Sequence, residues 1–320
     1  MNFLSHPLFQ SLSPVFIIIA AGYWLGRGAL ITSKGVSDLS NLVFLVLVPA
    51  LLFRTMSDVD FQTLDFSPIA AYFVAVAVLF AGSVWWRGFT CESVVLSLAG
   101  SFSNMVMVGI ALIGLAYGQQ GLVTLLTLVS VHALILLTAG SLVLELAAAK
   151  ERRIAGTEPP RLFKIAFRAI KASIIHPIPL PIICGLLYAQ TGMAIPTVID
   201  LPLKMLGQAF GPLALILVGV SLAKTQLVGE WRQALSVALL KNILLPVLVA
   251  ASAWLFGIRG LPLVVMIVTA ALPIGANVLL FAQRYKVMKE VTVTAMGVST
   301  ILAAVTLSII MLLVSLIPVH

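Results

Sequence analysis

Apolar residues in this chain run in long unbroken stretches. They show neither the alternation of a half-buried strand nor the one-sided stripe of a surface helix. A helix needs about 20 apolar residues to cross a bilayer. Marked off by charge, glycine and proline, ten such stretches fall near residues 9–26, 37–54, 67–86, 92–116, 120–148, 176–190, 197–223, 232–256, 261–283 and 290–317. They are continuously apolar and far longer than the roughly 10 alternating residues of a barrel strand, which excludes a β-barrel. The predicted class is an all-α integral membrane protein with ten transmembrane helices. The first stretch has no Lys or Arg between Met1 and Gln10 and is too long for a secretion signal's apolar core, so it is expected to be retained.

Composition agrees with this pattern. Of 320 residues, 61% are hydrophobic and 9% charged, whereas a soluble domain carries roughly 25% charged residues. Mean hydropathy is +1.15. These values exclude a soluble enzyme, a disordered chain and a solenoid, and two cysteines (Cys91 and Cys184) make no disulfide scaffold. The net charge of +8 changes the picture only through its placement. The basic residues lie between apolar stretches and do not interleave with aromatics, so the expected partner is a lipid bilayer and not nucleic acid. With the N-terminus outside the cytoplasm, fifteen Lys and Arg fall in inside connections, and only Arg54 and Arg259 fall outside. The positive-inside rule therefore predicts both termini outside.

The chain divides near its midpoint. Residues 1–148 form one five-helix unit, 149–175 a cytoplasmic linker, and 176–320 a second five-helix unit. In the linker, a Gly-Thr-Glu-Pro-Pro loop precedes Arg161, Lys164, Arg168 and Lys171, whose spacing predicts one basic face of a helix lying on the membrane surface. The units resemble each other. Pro14 and Gly22 are eight residues apart, as are Pro177 and Gly185, and the apolar run 43–53 matches 213–223. Five helices is an odd number, so the second copy enters the membrane from the opposite side. Such inverted repeats are common in secondary transporters.

Two spans carry helix-breaking chemistry at corresponding places. The fourth contains Gly100, Ser101, Ser103 and Asn104; the ninth contains Pro273, Gly275 and Asn277. Proline removes a backbone donor and clashes with the preceding turn, and glycine tolerates the resulting backbone. Backbone groups freed at depth must be buried in protein or face water, so paired breaks predict a site. Half-helix N-termini offer free N–H groups to a carboxylate, and Asn104 and Asn277 each add an amide.

These segments resemble a known family. Ala270-Ala-Leu-Pro-Ile-Gly275 through Phe281-Ala-Gln-Arg-Tyr285 is similar to the ninth-helix signature of the auxin efflux carrier family, which includes plant PIN-type carriers and bacterial malonate and malate permeases. Ser103-Asn-Met-Val-Met-Val-Gly-Ile-Ala-Leu112 resembles its fourth-helix motif, Lys241-Asn-Ile-Leu-Leu-Pro246 its eighth, and Val48-Pro-Ala-Leu-Leu-Phe53 its second. The resemblance implies helices four and nine crossing at mid-membrane, an elevator-like movement and residence in a bacterial inner membrane. The plant motif has prolines where this chain has Ser103 and Ala111, leaving Gly100, Ser103 and Gly109 to bend helix four. The plant carriers' long central loop is absent, so auxin is not the expected substrate.

Ionisable groups inside spans are costly and often functional. Lys241 lies about ten residues into the eighth span, on the order of 15 Å deep, where it meets an anionic substrate or steadies the crossover. His132 in the fifth span is a candidate proton relay because a histidine's ordinary pKa lies near neutrality, with a satisfied core histidine as the alternative. Asp200 and Lys204, one turn apart, predict a local ion pair, and Glu92 and Glu145 are expected at cytoplasmic ends against headgroups or basic loops. No nucleotide-binding, metal-protease or nucleophile-elbow motif occurs, so no cofactor and no enzymatic activity are expected. The expected function is secondary transport of a small organic anion, a mono- or dicarboxylate. The binding set is Ser103, Asn104, Pro273, Gly275, Asn277 and Lys241. A channel or sensor is the alternative, and proton or sodium coupling and a homodimer stay open.

Overall fold

The computed structural model describes residues 7–28, 30–59, 65–154, 178–225 and 230–318, and its regular elements are all helical. In chain order they are α1 (Pro7–Arg27), α2 (Ser33–Leu42), α3 (Val48–Ser57), α4 (Ser67–Arg87), α5 (Cys91–Ser101), α6 (Ile110–Ile154) and α7 (Pro179–Ala189). Then follow α8 (Thr197–Lys224), α9 (Trp231–Leu239), α10 (Leu245–Leu255), α11 (Gly260–Ala271), α12 (Asn277–Tyr285) and α13 (Lys289–Val314). Six helical stretches are long and apolar enough to cross a membrane, among them Ser67–Arg87, Thr197–Lys224 and Lys289–Val314, and four further apolar helices are shorter. The linker helix expected at 161–171 and Pro177 lie outside the described residues.

Local chemistry explains the joints. Wider π-turns at Val43–Leu47 and Leu240–Leu244 join α2 to α3 and α9 to α10. Each comes just before a proline, Pro49 or Pro246, whose missing N–H and bulky ring a regular α-turn would not accept. Met105–Gly109 is a third π-turn, leading into α6. Gly118, with φ 61° and ψ −153°, breaks α6 at the boundary expected between the fourth and fifth spans.

Small residues bring helix backbones into contact, as is common where packing between apolar helices replaces the hydrophobic drive of water. A Cβ on Gly22 of α1 would lie 2.2 Å from the Ile216 carbonyl oxygen of α8, and one on Gly219 would lie 2.0 Å from that of Ile19. Gly185 of α7 packs against α3 in the same way, with Phe53 O at 2.6 Å from the added Cβ. Between α4 and α10, Ser252 Oγ donates to Ala71 O at 2.7 Å.

One expected contact is corrected. Asp200 does not pair with Lys204 but takes a forked bond from Arg54 of α3, with Nε–Oδ1 at 2.7 Å and Nη2–Oδ2 at 3.2 Å. The flat guanidinium matches both carboxylate oxygens at once, which an ammonium cannot do. At the other end of the bundle, Glu145 accepts from the Tyr285 hydroxyl at 2.8 Å and lies 3.7 Å from Arg284.

Candidate functional site

The fourth and ninth expected spans break opposite each other and touch through their main chains. α5 stops at Ser101, Phe102 is extended (φ −94°, ψ 108°), and the helix resumes at Met105. α11 stops at Ala271 and α12 starts at Asn277. Ser103 and Ile274 form an antiparallel bridge, in which Asn104 N–H donates to Pro273 O at 2.8 Å and Gly275 N–H to Phe102 O at 2.8 Å. Helix four thus breaks without a proline, because the exposed edge of the ninth span supplies partners for the groups it frees. Gly275 is required at this contact. A Cβ there would lie 2.8 Å from the Phe102 ring and 3.1 Å from Ser103 O.

The cut end of α11 is satisfied group by group. Lys241 is fully buried, and its Nζ donates to Ala270 O and to Leu272 O, the latter at 2.6 Å. Asn242 Nδ2 donates to Ala271 O at 3.4 Å and Ser299 O at 3.2 Å. The Ser299 hydroxyl donates to Asn242 Oδ1 at 2.6 Å and accepts the Ile274 N–H at 3.1 Å. With Asn104 on Pro273 O, four consecutive carbonyls, 270 to 273, are matched. An ammonium at a helix C-terminus also suits its dipole.

The N-terminal ends of the second half-helices are left less complete. Asn104 caps the Met105 turn, its Oδ1 accepting from Met107 N–H at 3.2 Å. Among the described residues, no acceptor takes the backbone N–H of Val106, Ala276 or Asn277, and the side-chain NH₂ groups of Asn104 and Asn277 also lack partners. These residues line a cavity of about 50 Å³ together with Ser103, Gly275 and His132. Among the described residues, no Lys, Arg, Asp or Glu lines it. His132 is 3% exposed, packs edge-on against Phe102 at a 4.8 Å centroid distance, and among the described residues has no partner for either ring nitrogen.

The expected binding residues therefore separate. Ser103, Asn104, Gly275 and Asn277 share the cavity with His132, the Ser103 hydroxyl lying 3.1 Å from that of Tyr72. Pro273 lines a second, smaller cavity of about 20 Å³, with Val15, Thr300 and Ala303. Lys241 lines neither cavity, its amine held by the α11 carbonyls. The sequence reading missed Asn242, Ser299 and Tyr72. A polar Asn beside Lys241 in an apolar span was a usable signal for the first, but nothing marked Ser299 or Tyr72. Larger grooves of about 480 and 780 Å³ near Pro246 and Trp86 are lined almost wholly by apolar side chains, a chemistry suited to acyl chains.

The two cavities share a register. An offset of 171 residues separates Ser103 from Ile274 at the bridge, Val129 from Thr300, and His132 from Ala303, the last two pairs lining the first and second cavity respectively.

Residues 7–311 match the protein family described as "Membrane transport protein". The chain belongs to this family. It is the auxin efflux carrier family that the helix motifs resemble, and the protein is a multi-pass membrane transport protein, not an enzyme. Among its relatives is a protein of Rhizobium meliloti (strain 1021) named "Putative malonate transporter". The transporter described here is 25% identical to it over 303 residues, covering 92% of each chain.

Proposed function

We propose that this transporter is a secondary carrier of a small organic anion, a mono- or dicarboxylate such as malonate or malate, working by alternating access around the crossed breaks. The observation that carries this reading is the cavity at the bridge. It presents unclaimed N–H donors of two half-helices and two asparagine amides, with no carboxylate among the described residues to repel an anion. Helix N-termini bind anions through such free donors and their dipole. The relative's name adds malonate as the first compound to try.

The architecture we propose is ten spans in two inverted five-helix repeats, 1–148 and 176–320, with the bridge at mid-membrane. The shared 171-residue offset supports it. So does the packing of α1 on α8 and α3 on α7, a pattern that exchanging the halves maps onto itself. The close glycine contacts of these four helices favour them as the static frame, with the crossed helices moving past it in an elevator-like step. The charge distribution supports both termini outside the cytoplasm of a bacterial inner membrane. A gradient of substrate, proton or sodium, or the membrane potential, drives transport, and His132 is the candidate relay for a proton. Ser103, Asn104, Gly275 and Asn277 line the anion site; Pro273 and Lys241 hold its shape.

Uptake of labelled malonate and malate into proteoliposomes tests this reading. Saturable uptake that falls at least tenfold in Asn104→Ala and Asn277→Ala supports it. Flux that these substitutions leave unchanged refutes the site.

A further inference from the structure

His132 is the least satisfied polar group at the site. Both ring nitrogens are buried without a hydrogen bond, and a buried polar group left unmatched is costly enough to call for an explanation. Among the described residues, its surroundings offer no protein partner. The rings facing it are Tyr72 and Phe73 of α4 and Phe102 at the break. The Tyr72 hydroxyl is engaged with Ser103. The amine of buried Lys241 is engaged with two carbonyls. No carboxylate of the described residues lines the cavity. The matching position across the bridge is Ala303, so this polar group belongs to one cavity only.

We infer that His132 is a substrate-binding residue that takes the second carboxyl group of a dicarboxylic acid and shares one proton with it, while the half-helix donors take the first carboxylate. The inference rests on the proposed carboxylate site and narrows its substrate. A neutral imidazole has one donor and one acceptor, and the acceptor nitrogen needs a proton-bearing partner. A protonated carboxyl supplies it. The alternative, an imidazolium beside a carboxylate, holds the same number of protons. In either arrangement a fully ionised diacid binds with one proton drawn from solvent, and no other bond is made or broken. A monocarboxylate fills the donor end and leaves His132 unmatched. Sites built around a buried hydrogen-bonding group reject analogues that lack its partner.

Calorimetric titration of the purified protein with malonate and with propionate, each in two buffers of different ionisation heat, measures affinity and protons taken up together. The expected result is about one proton per malonate and at least tenfold weaker binding of propionate. In His132→Leu the proton uptake vanishes and malonate binds no better than propionate. That variant removes two unmatched nitrogens, so its unliganded form is expected to melt no lower than wild type. Should it fail to fold, His132→Asn carries the same readout. Malonate binding without proton uptake, or uptake that persists in these variants, overturns the inference and leaves carboxylate transport standing. Failure of wild type to bind either acid overturns both.

Discussion

Asn104 gives its backbone N–H to the carbonyl of Pro273 at 2.8 Å, tying together residues 169 positions apart. This bond and its mate from Gly275 to Phe102 let each broken helix satisfy groups that the other has freed. In lipid such groups have no water to turn to, and each unmatched one costs several kcal/mol.

Gly275→Ala tests that contact. The added methyl meets the Phe102 ring at 2.8 Å and the Ser103 carbonyl at 3.1 Å, and the carbonyl belongs to the bridge itself. Overpacking of this kind costs about 1–3 kcal/mol. Expression and membrane insertion are expected to persist, with the thermal midpoint in detergent lowered and malonate uptake lost.

Asn277→Ala and Asn104→Ala separate binding from folding. The Asn277 side chain has no partner among the described residues, so its loss is expected to change stability by no more than about 0.5 kcal/mol while raising the KM for malonate. Asn104 also caps the Met105 turn, so Asn104→Ala is expected to cost about 1 kcal/mol in addition. Parallel melting curves and uptake kinetics distinguish the two.

Lys241→Met keeps an unbranched side chain one atom shorter and removes its donors. Two buried carbonyls, Ala270 and Leu272, then lose their partner. The expected cost is about 3 kcal/mol, since each unmatched buried group contributes about 1–3 kcal/mol. A fall in melting temperature with or without malonate identifies a positioning role; an unchanged melting curve with a raised KM identifies direct contact with substrate.

Gly219→Val strikes the joint between α1 and α8, where a Cβ lies 2.0 Å from the Ile19 carbonyl oxygen. Backbone cannot yield as a side-chain tip can, so assembly is expected to fail, visible as loss of the monodisperse peak in size-exclusion chromatography. Arg54→Gln is the contrasting case. The Arg54–Asp200 pair is about a quarter to a third exposed, and such pairs contribute about 1 kcal/mol or less. A double-mutant cycle with Asp200→Asn is expected to return a coupling in that range, smaller in high salt.

Much of this arrangement is written in the chain because lipid allows few solutions. Long apolar runs gave the helices, and Pro273 with Gly275 marked a break that cannot be helical. The break after Ser101 was signalled only by a cluster of small and polar residues, since what completes it is a bridge to Ile274, 171 residues from Ser103. Lys241 was visible as a buried charge, but its two carbonyl partners depend on how α10 and α11 pack, which no local pattern encodes. Asp200 misled for the same reason: its neighbour at one turn was in reach by spacing, while Arg54 came into reach only through the fold.

Because the bridge joins atoms common to every residue, only a proline or a clash can delete it. Side chains around it are free to change over generations while the crossing survives, so descendants of one ancestor can exchange cargo preferences without rebuilding the machine that moves the cargo.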